Sequence, residues 1–106
     1  MKISEIYKKI DSSSKTYFIT EEKSLASKLK LLIEKKYGKN SYKEEKIRIG
    51  RKKIYFIEIK RPTLLYEFEG KFPKPSKENK YVLLIKKHGT KKEILKELIS
   101  IYKSLY

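Results

Sequence analysis

Lys91 and Lys92 follow Thr90 directly, at the head of a run whose apolar residues recur at helical spacing. A helix start exposes unpaired amides and a partial positive charge, so a lysine pair there suits a phosphate group. Lys86, Lys87 and His88 lie just upstream. Two further segments set cations on turns: Gly50-Arg51-Lys52-Lys53, and a Pro-containing stretch with Lys71, Lys74 and Lys77. The expectation is that these three segments share a side. Arg51, Lys52, Lys53, Lys71, Lys74, Lys77, Lys86, Lys87, Lys91 and Lys92 would then form one surface that tracks phosphates. A second constellation is acidic. Glu58 and Lys60 are two apart on a strand-like run and so share a face, and Glu45 begins the strand before it.

The charge balance favours the basic surface. Lys and Arg number 28 against 13 Asp and Glu, a net charge of +15 on 106 residues. Repulsion at this density opposes compaction, so the excess points to a polyanionic partner. Only Arg48, Arg51 and Arg61 are arginines, and lysine is a point charge rather than a bidentate fork. This composition suits backbone and shape recognition more than base reading. Cys, Trp and Gln are absent, Asn40 and Asn79 are the only asparagines, and Lys and Glu are abundant, as in proteins from hot habitats. That bias explains richness in charge but not its sign.

Composition also excludes chemistry. Without Cys there is no disulfide, thiolate zinc site or thiol nucleophile. His88 is the sole histidine, which argues against a His-based metal centre or a Ser-His-Asp triad. No apolar stretch has the length of a signal peptide or a membrane span. The expectation is one intracellular, cytoplasmic domain over residues 1–106, non-enzymatic and without a cofactor. Its partner would be nucleic acid, RNA favoured over DNA, as a homodimer or within a ribonucleoprotein assembly.

Periodicity supplies the elements. Ile3, Ile6, Tyr7 and Ile10 predict a short helix over 2–10. Thr16–Thr20 reads as a strand, and Thr20 as the cap of a helix with its stripe at Leu25, Ala26, Leu29, Leu32, Ile33 and Tyr37. Gly38 suits the position past its end. Residues 39–44 read as a loop, then Lys46–Ile49, Gly50–Lys53 and Ile54–Lys60 as strand, turn and strand. Leu64–Phe68 reads as an irregular strand, residues 70–80 as an exposed basic loop, and Tyr81–Ile85 as a strand. Thr90 and Glu93 form a capping-box signature ahead of Ile94, Leu95, Leu98, Ile99, Tyr102 and Leu105. The fold class expected is α+β: a two-layer sandwich of three to four mostly antiparallel strands, two long helices on one face and the short N-terminal helix.

The order helix, three strands, helix from residue 21 to 106, with Lys91 and Lys92 opening the last helix after Gly89, is similar to the double-stranded-RNA-binding domain family. The resemblance implies that this lysine pair grips phosphates across a groove. Ile94, Leu95, Leu98 and Ile99 stand where that family has small residues, and the segment 62–80 has no counterpart there. Glu45 and Glu58-Ile59-Lys60 resemble the PD-(D/E)xK nuclease superfamily. This implies an alternative in which Glu45 and Glu58 hold Mg²⁺ and Lys60 helps orient water, with Glu34, Glu21 or Glu22 as a further acid. Finally, Tyr17, Phe18, Tyr55, Phe56, Tyr66, Phe68, Phe72 and Tyr81 lie on or near strands. With one sheet face open, half of them would be free to stack on bases.

Overall fold

The computed structural model describes residues 11–106, so the helix expected over 2–10 lies outside the described residues. Four strands form one antiparallel sheet: β1 (Lys15–Thr20), β2 (Tyr42–Ile49), β3 (Lys52–Ile59) and β4 (Tyr81–Lys86). Helix α1 (Lys23–Tyr37) follows β1, and α2 (Lys91–Leu105) follows β4. The spatial order β2-β3-β1-β4 inserts β1 between the hairpin and the last strand. An α+β fold is therefore present.

The two helices do not share a face, which corrects the two-layer expectation. Phe18, Tyr55, Ile57, Ile59 and Tyr81 pack with Leu25, Ala26, Leu29 and Ile33 of α1. Tyr17, Ile19, Ile54, Phe56 and Val82 pack with Ile94, Leu98 and Tyr102 of α2. Neighbouring strand residues thus feed opposite cores, and the sheet is the middle of three layers. The physical reason lies in the runs Tyr17-Phe18-Ile19 and Ile54-Tyr55-Phe56-Ile57. Unbroken apolar sequence marks a strand buried on both faces, whereas a half-exposed strand alternates. This also removes the aromatic platform: of the eight strand-associated aromatics named above, only Tyr66 is exposed, at 47%.

Local chemistry sets the boundaries. Gly50 has φ +62° and begins the two-residue turn with Arg51, where Ile49 faces Lys52. A positive φ at the first turn position matches the twist of a tight hairpin. β2 starts at Tyr42, inside the stretch expected to be a loop, because Tyr42 Oη donates to Glu34 Oε1 on α1 at 2.7 Å. Lys30 Nζ, 2.9 Å from Glu44 Oε2, ties the same strand to the helix. Thr20 does not cap α1; Glu22 holds that position without a side-chain bond. Instead Thr20 Oγ1 accepts from Glu22 N at 3.0 Å and donates to Lys80 O at 2.6 Å. Thr90 does cap α2, accepting from Glu93 N at 3.2 Å.

The segment between β3 and β4 is structured. Leu65–Phe68 is a 3₁₀ turn rather than a strand, with Glu67 Oε1 accepting from Leu64 N at 3.4 Å. Phe68 and Phe72 are both buried beside α1. Phe72 meets Phe18 and Tyr81 edge-on at 5.9 and 5.2 Å, so the loop expected to be exposed is anchored in the core. Thr16 pins its start: its Oγ1 accepts from Thr63 N at 2.6 Å and donates to Arg61 O at 3.1 Å.

Thr16 and Thr63 are both fully buried. Thr16→Val keeps the volume but strands the Thr63 amide, and a buried unsatisfied donor costs about 1–3 kcal/mol. Urea unfolding should show that loss, and an unchanged midpoint would show that the segment is held by its aromatics alone.

Candidate nucleic-acid interface

Strand directions sort the charges into two ends. The hairpin end carries the Gly50-Arg51 turn, Thr20, the start of α1 and Tyr81. The opposite end carries Lys15, Tyr42, Ile59, Lys86 and the start of α2. The three basic segments expected to share a side therefore do not. Arg51, Lys52 and Lys53 are at the hairpin end, whereas Lys86, Lys87, Lys91 and Lys92 are at the other. The loop from Phe72 returns to the hairpin end at Lys80, carrying Lys74 and Lys77 between those points. Lys71 lies apart, in a groove of about 240 Å³ with Lys35, Lys36, Glu67 and Glu69.

The ends differ in neutralisation. At the opposite end Lys86 Nζ lies 2.7 Å from Glu97 Oε2 and Lys87 Nζ 2.5 Å from Asp11 Oδ2. Lys91 is paired with Glu45, and Lys15 Nζ is 3.7 Å from Glu58 Oε1. Lys87 and Ser13 hold the Asp11 carboxyl well below the usual carboxylate range. Among the described residues the acids at the hairpin end are Glu21, Glu22 and Glu78. Glu21 Oε2 accepts from Tyr102 Oη at 2.6 Å, and its other oxygen is 3.8 Å from Lys52. Arg51, Lys74, Lys77 and Lys80 form no ion pair with a described residue. Lys53 lies 5.8 Å from the Tyr55 ring centre and forms no such pair either.

One depression of about 180 Å³ ties the hairpin end together. It is lined by Lys52 from β3, Lys80 ahead of β4, Lys103 from α2, and Glu21, Tyr102 and Tyr106. Sequence reading placed Lys80 only within the basic loop and missed Lys103 as a site residue. A signal for Lys103 existed: 15 helical residues span about 22 Å. A helix that starts at one end of a six-residue strand must finish at the other.

Glu45 and Glu58 come together elsewhere. Both lie on the α2 face of the hairpin and line a cleft of about 430 Å³ with Lys15, Lys43, Phe56 and Lys91. In register, Glu45 faces Phe56 and Glu58 faces Lys43. Lys60 is exposed one residue beyond β3 and does not line the cleft, while Lys43 and Lys15 flank Glu58. Each acid is engaged by a lysine, and among the described residues no three His, Cys, Asp or Glu side chains gather to hold a metal ion. Glu34 is on the other face, bonded to Tyr42, and Glu21 and Glu22 are at the hairpin end. This donor set does not fit the Mg²⁺ site that the nuclease resemblance implies. Comparison with known families, curated proteins and solved structures finds no match. Among the described residues no helix is long and apolar enough to cross a membrane.

The tyrosines respond to this geometry. The Glu34 carboxylate, with burial, pushes the Tyr42 pKa up to about 12. Burial pushes Tyr81 up to about 12, and burial with Glu21 raises Tyr102 further. The fold favours their neutral forms, so this stabilisation is complete below the ordinary value of about 10 and fades as pH climbs towards 12. Tyrosinate absorbance should therefore rise in two stages, and Tyr42→Phe should shrink the later one. A single stage at the ordinary value, in protein still folded by circular dichroism, would contradict these contacts.

Proposed function

We propose that this protein binds nucleic acid through its hairpin end, by Lys and Arg contacts to phosphates and with little base reading. The observation that carries this reading is the unequal neutralisation of the two ends. Four lysines of the opposite end, Lys15, Lys86, Lys87 and Lys91, have carboxylates beside them, which cancel much of their field beyond a Debye length of roughly 8 Å. Arg51 on the turn, Lys52 and Lys53 on β3, Lys80 ahead of β4 and Lys103 on α2 come together from distant parts of the sequence, and Glu21 is the carboxylate in the depression that three of these lysines share. Such a surface attracts a polyanion and releases its condensed counterions. The lysine pair Lys91–Lys92 becomes secondary, because Glu45 already occupies Lys91.

RNA is the favoured substrate. Both faces of the sheet are covered by helices, and the hairpin tip with its neighbouring loop suits contacts along a phosphate ridge more than a helix laid in a major groove. The protein acts as a binding module, alone or within a ribonucleoprotein assembly, and chemistry on the bound strand is not part of the reading.

The test is a titration with duplex RNA, duplex DNA and single-stranded RNA at several salt concentrations. Affinity should fall steeply with salt, by roughly 10³-fold over a fourfold salt increase for about six phosphate contacts. Replacing Arg51, Lys53 and Lys80 with Ala should flatten that salt dependence, by about one slope unit for each phosphate no longer neutralised. Replacing Lys86, Lys87 and Lys91 should do much less. Equal losses from both triple variants would refute the two-ended reading. Probe cleavage that needs Mg²⁺ and disappears in Glu58→Ala would replace it with the nuclease alternative.

A further inference from the structure

The two edges of the sheet are built differently. β2, at one edge, has the sequence Tyr-Lys-Glu-Glu-Lys-Ile-Arg-Ile, and charges along an edge discourage pairing with another chain. β4, at the other edge, runs Tyr-Val-Leu-Leu-Ile before its first charge at Lys86. Among the described residues no strand pairs with its outer side. In a chain that is 39% charged, five uncharged residues on an open edge are the reverse of the usual protection.

We infer that β4 is the pairing edge for a second copy of this chain, joined antiparallel about a two-fold axis into a continuous eight-stranded sheet. Three observations choose this occupant. First, an open strand edge is satisfied by another extended strand, and an uncharged apolar edge matches its own copy without selecting for acidic or basic side chains. Second, the cations that would normally guard this edge are neutralised within the chain, Lys86 by Glu97 and Lys87 by Asp11. Third, the apolar surface continues past the strand. Tyr106 Oη donates to Tyr81 O at 3.3 Å, and beside it Leu105 is 63% exposed on α2.

This inference is independent of the nucleic-acid reading, and salt separates the two. Screening weakens phosphate contacts but relieves repulsion between two cationic copies, so pairing should tighten as salt rises. Sedimentation of the full chain should give twice the monomer mass, and Ile85→Lys should return it to the monomer with unchanged circular dichroism. A second measurement, which does not depend on that variant folding, uses the chain's lack of cysteine. Single Cys substitutions at Leu83, Leu84 and Ile85 should include one that forms an intermolecular disulfide rapidly, while Ile47→Cys on β2 should not. A monomer at every salt and protein concentration, or equal cross-linking from β2, would overturn the inference.

Discussion

β1 is the constraint on which the rest of the fold depends. It is six residues long, hydrogen-bonded to β3 on one side and β4 on the other, with apolar side chains towards both faces. Thr16, Phe18, Ile19 and Thr20 are wholly buried. A strand so placed needs a cover on each face, and the chain supplies one helix for each. One helix is narrower than four strands, about 10 Å against roughly 20 Å. On the α1 face the remainder is filled by Phe68 and Phe72 from the segment between β3 and β4. This is why that segment is anchored where its composition suggested a solvated loop. The two buried threonines of β1 make the polar contacts that complete this cover. Thr16 holds the segment as it leaves β3, and Thr20 holds Lys80 as it returns.

The position of β1 also decides the electrostatics. Inserting it between β3 and β4 fixes which loops emerge at which end. β2 and β3 turn at Gly50-Arg51, β4 begins beside Thr20, and α2 comes back to finish there. Lysines distributed over distant parts of the sequence are thus collected by strand direction. Acids are collected by the same rule, and Asp11, Glu45, Glu58 and Glu97 all fall near lysines of the opposite end or of the cleft beside α2. Surface ion pairs of this kind add little stability, typically under about 1 kcal/mol each. Their consequence is for the field: Lys15, Lys86, Lys87 and Lys91 at the opposite end are offset by nearby carboxylates, whereas the hairpin end carries cations with few carboxylates near them.

Much of the element order was legible, because it rests on local chemistry. The hairpin at Gly50, the start of α2 at Thr90 and the stripe of α1 all follow from periodicity, turn and cap signals within a few residues. The sides on which the helices sit were signalled too, by Tyr17-Phe18-Ile19 and Ile54-Tyr55-Phe56-Ile57, but one open face was assumed. What could not be read locally was the site. Whether Lys52 meets Lys80 and Lys103, and whether Lys91 meets Glu45, depends on strand order, and strand order is a property of long-range pairing. Glu58 and Lys60 show the limit of alternation. Sharing a face put them in line, yet the strand ends at Ile59 and Lys60 misses the cleft.

The two proposed surfaces are compatible because they use different parts of the sheet. Pairing through β4 consumes a long edge, whereas nucleic acid meets the strand ends at the hairpin. A two-fold axis between antiparallel β4 strands points the two hairpin ends in opposite directions, so neither blocks the other. Each copy would also keep its unneutralised cations at the far side from its partner's, where repulsion between copies is weakest. β2 and β4 are not protected alike. The lysines and Arg48 of β2 oppose a second strand along that edge. Lys86 of β4 and the adjacent Lys87 are paired with acids, and there the remaining force on an approaching copy is a strand edge that no described strand covers, with the apolar surface around Leu105.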